Sequence, residues 1–183
     1  MITLSYALLG LLAREPLAGY DLAQRLKERV GFFWHARHSQ IYPELARLAE
    51  QGLVSHQRVE QENRPAKKLY TITTQGHAAL RAWATQPPAS AAGRDELVLK
   101  AYCLWVAAPS HIHALFREQE RQHAAQLAHY EAIGAWMERE WGSVLQDLAT
   151  PEFSSYAALQ RGVGYEREYM AWCRWIAERV EQS

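Results

Sequence analysis

At 183 residues, 49% apolar and 22% charged, the chain is globular and long enough for one or two domains with a buried core. Its formal net charge is zero, but residues 1–85 carry 11 Lys and Arg against 7 Asp and Glu, and residues 86–183 carry 9 against 13, so +4 stands beside −4. The apolar opening run from Met1 to Leu12 lacks a basic leader and a small-residue cleavage site. It meets Arg14 and Glu15 well short of the roughly 20 residues a membrane helix needs, so neither secretion nor membrane insertion is expected and the chain reads as cytoplasmic. Cys103 and Cys173 each sit in an apolar helical pattern and form no Cys-x-x-Cys pair, which gives a disulfide framework or a zinc cluster no support.

In chain order, Leu4, Leu8, Leu11 and Leu12 recur at helical spacing and predict a first helix that Glu15 and Pro16 end. Gly19, Tyr20 and Asp21 open a second, whose buried stripe is Leu22, Leu26 and Val30, with Arg25, Lys27 and Arg29 left to solvent. A third begins around Ser39, a capping residue, with Pro43 expected in its first turn, where a missing N–H is tolerated; Gly52 stops it. Two strand-like runs follow, Val54 to Gln61 and Lys67 to Thr73, joined by the turn residues 62–66, and a further helix starts near Gly76.

The third helix has two unlike faces. Ile41, Leu45 and Leu48 are expected to pack on the first two helices, and Gln40, Glu44, Arg47 and Gln51 are expected to point away and be free to enter a groove. Arg can grip guanine and Gln can grip adenine in a major groove about 12 Å wide, although a solvated helix face looks the same from sequence alone. The hairpin adds specificity: Arg64, Lys67 and Lys68 cluster at its tip and returning strand, where they can reach phosphates or the minor groove. Helix, glycine stop, hairpin and basic tip, in that order, are the plan of a winged helix-turn-helix. The predicted fold is therefore mainly α, an α+β winged helix followed by long helices, and the expected partner is double-stranded DNA. A winged-helix module used only for protein contacts is the alternative, favoured if charge reversal at Arg64, Lys67 and Lys68 left DNA binding intact.

Prolines and small residues from Gln86 to Gly93 mark a boundary, giving an expected division into residues 1–86, a linker 87–94 and a helical region 95–183. Ser110 is read as the cap of a helix to about Trp141 whose stripe is Phe116, His123, Leu127, Tyr130, Gly134, Met137 and Trp141. A second long helix, about Glu152 to Glu181, carries Tyr156, Leu159, Val163, Glu166, Met170, Cys173, Ala177 and Val180, with Tyr165, Tyr169, Trp172 and Ile176 alongside. Two such faces call for a second subunit, or else for an intramolecular hairpin. A two-fold homodimer would set two reading helices about one DNA turn, on the order of 34 Å, apart on a palindromic site.

Several stretches resemble the PadR-like transcriptional regulators: LSYALLGLL from Leu4 to Leu12, GYDL from Gly19, HSQIYPEL from His38 with Leu48, Gly52 and Leu53, KKLYTIT from Lys67 with Gly76, and DELVLKAY from Asp95, continuing through Phe153 to Trp172. The resemblance covers nearly the whole chain. It implies that Ser39, Gln40, Tyr42, Pro43 and Arg47 meet DNA from the third helix, with Tyr20 at the second and Arg64, Lys67 and Lys68 on the wing, whose tip composition varies across the family. It also implies dimerisation through the C-terminal region. Within the family the chain is similar to those members that silence a phenolic acid decarboxylase gene until a hydroxycinnamic acid such as p-coumarate or ferulate arrives; a member answering another aromatic or drug-type effector is the alternative the resemblance leaves open.

An aromatic acid needs an apolar slot for its ring and donors for its carboxylate. The polar groups on the apolar faces of the C-terminal helices are His123 and Glu166, with Tyr102, Arg121, Tyr156 and Arg161 near them, and these six are the candidate effector residues; each also has an ordinary structural reading as a register-setting or satisfied core group. An effector wedged between the DNA-binding domain and the helical arms would act by favouring a helix spacing that misses the operator. Catalysis is not expected. His35, His38, His111, His113, His123 and His129 form no metal-ligand pattern, no Gly-x-Ser-x-Gly or phosphate-cradling glycine loop is present, and no cofactor is implied.

Overall fold

A computed structural model of the chain describes residues 1–29, 38–61, 64–88 and 95–182. Val30, His35, the wing-tip residues Glu62 and Asn63 and most of the expected linker lie outside them, as do the side chains of Arg29, His38, Gln61, Arg64 and Pro65. The chain divides into two compact units, Met1–Ala89 and Ser90–Ser183.

The first unit runs α1 (Thr3–Leu12), β1 (Leu17–Ala18), α2 (Gly19–Arg29), α3 (His38–Glu50), β2 (Val54–Gln61), β3 (Arg64–Ile72) and α4 (Thr74–Ala84). Its core is continuous: Leu4, Leu8, Leu9, Leu11 and Leu12 of α1 meet Leu22 and Leu26 of α2, Ile41, Leu45 and Leu48 of α3, and Val54, Tyr70 and Ile72 of the sheet. The spacings that predicted these helices are the ones that bury them. The sheet has three strands where the sequence suggested two. Leu17 and Ala18 pair antiparallel with Tyr70 and Leu69, giving the order β1-β3-β2. The hairpin pairs Val54 with Ile72 and reaches Gln61 opposite Arg64, with an irregularity between Val59 and Gln61; β2 has the expected bounds, and β3 starts three residues nearer the tip than expected.

Two backbone details lock α4 onto this hairpin. Gly52 has φ +70°, the left-handed conformation that lets α3 end and β2 begin. Thr73 Oγ1 accepts from the Gly76 N–H at 3.0 Å as the cap of α4 and donates to the Gly52 carbonyl at 2.7 Å. Gly76 is there because a Cβ would stand 2.1 Å from the Leu53 carbonyl oxygen. Farther along α4, Trp83 stacks on Tyr6 of α1 at 4.4 Å.

The second unit comprises α5 (Glu96–Tyr102), a 3₁₀ turn (Leu104–Val106), α6 (Pro109–Trp141), a second 3₁₀ turn (Gly142–Gln146) and α7 (Pro151–Glu181). The helix beginning at Pro109 starts one residue before the expected Ser110 cap: Ala108 is the N-cap, without a side-chain bond, and Pro109 supplies the first turn with the ring that needs no donor. Thr150 caps α7 by accepting from the Phe153 N–H. Helices α6 and α7 form an antiparallel hairpin. The stripe Phe116, Leu127, Tyr130 and Gly134 and the stripe Leu159, Val163, Glu166, Cys173 and Ala177 are both buried. The sequence-predicted seam is thus closed, at least in large part, within one chain.

Ion pairs, three of them across the helices, clasp the end of this hairpin where α6 begins and α7 ends. Glu120 accepts from Arg174 at 2.7 Å and from Arg117 at 2.9 Å, and Glu181 accepts from Arg117 at 3.0 Å and from His113 at 2.6 Å. Asp95 fastens α5 by two routes: its Oδ1 accepts from the Leu97 and Val98 N–H groups, and its Oδ2 accepts from Tyr169 Oη at 2.6 Å.

Candidate nucleic-acid interface

The exposed side of α3 is displaced from the face expected of it. Ser39, Pro43, Ala46 and Glu50 follow one another along the outward line, Tyr42 flanks it on one side and Gln40 and Gln51 on the other. Glu44, expected among the groove-facing residues, is buried, and this corrects that expectation. It turns inward because Ser5 of α1 donates to it and Arg47 bridges to it at 2.5 and 3.0 Å. Burial pushes the Glu44 carboxyl up, but the Arg47 and Ser5 bonds outweigh that and leave it below its ordinary value, as a charged group. Pro43 is the sixth residue of α3, past the first turn, so no N–H from it can reach the Ser39 carbonyl.

A concavity of about 640 Å³ opens beside α3, walled by Gly19, Tyr20, Tyr42, Ala46, Lys67 and Lys68 among others. It gathers four of the nominated DNA contacts from three elements: Tyr20 from the first turn of α2, Tyr42 from α3, and Lys67 and Lys68 from β3. Tyr20 and Tyr42 are exposed although aromatic, and Lys68 is exposed at their side. The Tyr42 ring lies so close to the start of α2 that a Cβ on Gly19 would be 2.6 Å from its Cε1. Glycine at 19 therefore permits this close approach of the Tyr42 ring. Ser39, Gln40 and Pro43 lie outside this wall on the outer surface of α3, and Arg47 is half-turned away by its bonds to Glu44 and Ser5. Periodicity did not point to Tyr20 and Tyr42; their exposure, unusual for large aromatic side chains, is a structural signal that the resemblance alone anticipated.

The six candidate effector residues do not converge on one point. His123 and Glu166 meet across the α6–α7 hairpin, Glu166 Oε2 accepting from His123 Nδ1 at 2.5 Å, and the imidazole stacks on Tyr169 at 4.3 Å. Tyr165 lies between His123 and Arg161, with the Arg161 guanidinium 5.6 Å from its ring centre. Burial pushes the Tyr169 phenol up, Asp95 adds to the push, and burial likewise raises the Cys173 thiol to about 11, so both stay neutral. Tyr156 donates instead to Glu138 at 2.5 Å, Arg121 pairs with Glu118, and Tyr102 stands 81% exposed. Among the described residues no group of three or more His, Cys, Asp or Glu could hold a metal, and no helix is long and apolar enough to cross a membrane.

A helical unit with a hairpin wing, whose third helix and returning strand border an aromatic and basic concavity, defines a winged-helix transcription regulator. The transcriptional regulator PadR-like family matches residues 8–82, and the family described as virulence activator alpha C-term matches residues 93–181. The chain is 32% identical to the negative transcriptional regulator PadR of Bacillus subtilis (strain 168) over 184 residues, covering all of both chains. It therefore belongs to the PadR-like family, whose members regulate transcription and are not enzymes. It is also similar to the crystal structure of Bacillus subtilis PadR in complex with operator DNA (TM-score 0.85, 32% identity, 98% of this chain and 99% of that one) and to that of the same protein with p-coumaric acid (TM-score 0.81, 31% identity, 97% and 98%).

Proposed function

We propose that this chain is a homodimeric, DNA-binding transcriptional repressor of the cytoplasm that releases a palindromic operator when it binds a phenolic acid such as p-coumarate or ferulate, so that a detoxification gene is expressed. The observation that carries the DNA-reading part is the concavity in which Tyr20, Tyr42, Lys67 and Lys68 meet beside α3. Lysines at the surface, half-buried Lys67 and exposed Lys68, supply sequence-independent phosphate attraction, and a neutral chain needs that attraction concentrated in one place. Ser39, Gln40 and Pro43 on the outer face of α3, with Arg47 at its flank and Arg64 on the wing, complete the proposed contact set.

In this reading residues 1–86 form the DNA-binding domain, 87–94 the linker and 95–183 the dimerisation and effector domain. Support for a second subunit comes from apolar side chains left uncovered by the helical unit: Val98, Leu99, Tyr102, Trp105 and Val106 are all more than half exposed within nine residues. Support for an effector site in the same unit comes from Tyr165, flanked by Arg161 and His123, where a ring and a carboxylate would both find partners. Tyr102, Arg121, Tyr156 and Glu166 remain the other proposed effector residues.

DNA and effector must weaken each other's binding by the same factor, since coupling is reciprocal. The test is to select a duplex from a randomised pool with the purified chain and titrate it with and without p-coumarate. Release of the duplex as p-coumarate rises is the expected result. Unchanged affinity removes this effector while leaving the repressor, and failure to enrich any duplex removes DNA reading itself.

A further inference from the structure

The proposal that α3 reads DNA leaves open what Arg47 does, and the closed ring of bonds around it answers that. We infer that Arg47 contacts the DNA backbone and does not read a base, and that buried Glu44, together with Ser5 of α1, is the positioning pair that holds it there. A guanidinium reads guanine through two adjacent nitrogens, either Nε with Nη2 or Nη1 with Nη2. Both edges contain Nη2, and Nη2 donates to Glu44 Oε1 at 2.5 Å and to Ser5 Oγ at 2.8 Å. Nε donates to Glu44 Oε2 at 3.0 Å. Among the described residues only Nη1 has no partner, so while the latch is closed Arg47 can offer one nitrogen and its charge, which suits a phosphate oxygen and cannot make the two-bond guanine contact.

The burial pattern fits this division of labour. The Glu44 side chain is 6% exposed and cannot itself reach DNA, whereas that of Arg47 is 36% exposed. The latch also spans 42 positions of sequence, fixing the rotation of α3 on α1 by a charge-assisted bond in addition to the apolar contacts of Ile41, Leu45 and Leu48. Glutamate at 44 is thus explained as a group that aims a neighbour.

The experiment uses the full chain and a duplex that it selects from a randomised pool, with binding measured across a salt series for wild type, R47A, E44Q, S5A and the double variant E44Q/R47A. R47A is expected to weaken the selected duplex and a scrambled one by the same factor, about 10-fold at low salt, to lower the salt slope by about 1 per protomer, and to leave the selected base preferences unchanged. E44Q is expected to weaken binding in the wild-type background and to add nothing in the R47A background, with S5A acting in the same sense but less. Thermal melts of each variant report folding separately, and S5A, which removes only a hydroxyl, keeps the test open if E44Q unfolds. A shifted preference at one base pair in R47A, an R47A variant that binds like wild type, or an E44Q loss of equal size in both backgrounds each overturns the inference. A wild-type chain that enriches no duplex overturns the DNA-reading proposal beneath it, before any variant is made.

Discussion

The two units solve the problem of a small core in opposite ways. The winged-helix unit closes one continuous cluster of leucines from α1, α2, α3 and the sheet, and what it leaves outside is aromatic and basic: Tyr20, Tyr42 and Lys68. The helical unit has a narrow seam between two long helices, crossed by the His123–Glu166 pair and clasped by ion pairs, and it leaves Leu99, Trp105 and Leu148 outside. A unit that finishes its own core can devote its surface to a ligand. One that leaves apolar side chains outside suits the second copy that the proposed function calls for.

This contrast can be broken or sharpened by substitution. The largest effect is expected for Phe116→Ala, which empties a fully buried site packed edge-on against Trp172 and should cost about 3–5 kcal/mol in urea unfolding of the helical unit while leaving the winged-helix transition in place. Gly76→Ala should do the reverse: its methyl meets the Leu53 carbonyl, and a loss of about 3 kcal/mol or more confined to the winged-helix unit is expected in the same measurement. If either change melts both units together, the units are not independent. Trp105→Ser should leave unfolding of the winged-helix unit unaltered but raise the dimer dissociation constant roughly 30-fold, a loss of about 2 kcal/mol of the kind expected for an interface anchor, read by sedimentation.

The smallest expected effect concerns acid. The Tyr169 hydroxyl holds the Asp95 carboxyl below the ordinary aspartate range against the opposing push of burial, with help from the Val98 and Leu97 N–H groups. Because the folded value is depressed, the stability it brings is complete above the ordinary value near about 3.9 and is lost as pH falls through the lower folded one. Tyr169→Phe should therefore flatten the acid limb of the melting curve slightly and change nothing near neutrality.

Much of this architecture could be read from the chain. Leucine spacing located α1 and the apolar face of α3, glycine at 52 and the β-rich runs located the wing, and three- and four-residue spacings marked the stripes of α6 and α7. What stayed hidden depended on partners distant in sequence. Leu17 and Ala18 are a strand only because Tyr70 and Leu69 lie beside them. Glu44 looks like a surface carboxylate until Ser5, 39 positions earlier, is brought against it. The long-helix stripes gave no sign of whether they would meet each other or another copy, because helical periodicity marks a face and not its occupant. Of the site, the lysines of the wing stood out by charge, whereas the gathering of Tyr20 with Tyr42 required the close approach that Gly19 permits.

The central claim is that the concavity beside α3 is where this protein holds DNA, and the most direct test reverses its charge. With a duplex selected by the wild-type chain, the double variant K67E/K68E, checked for an unchanged melt and unchanged dimerisation, is predicted to lose about 100-fold or more in affinity at low salt and to show a shallower salt dependence. Undiminished binding by that variant would contradict the account and turn the winged helix toward a protein partner.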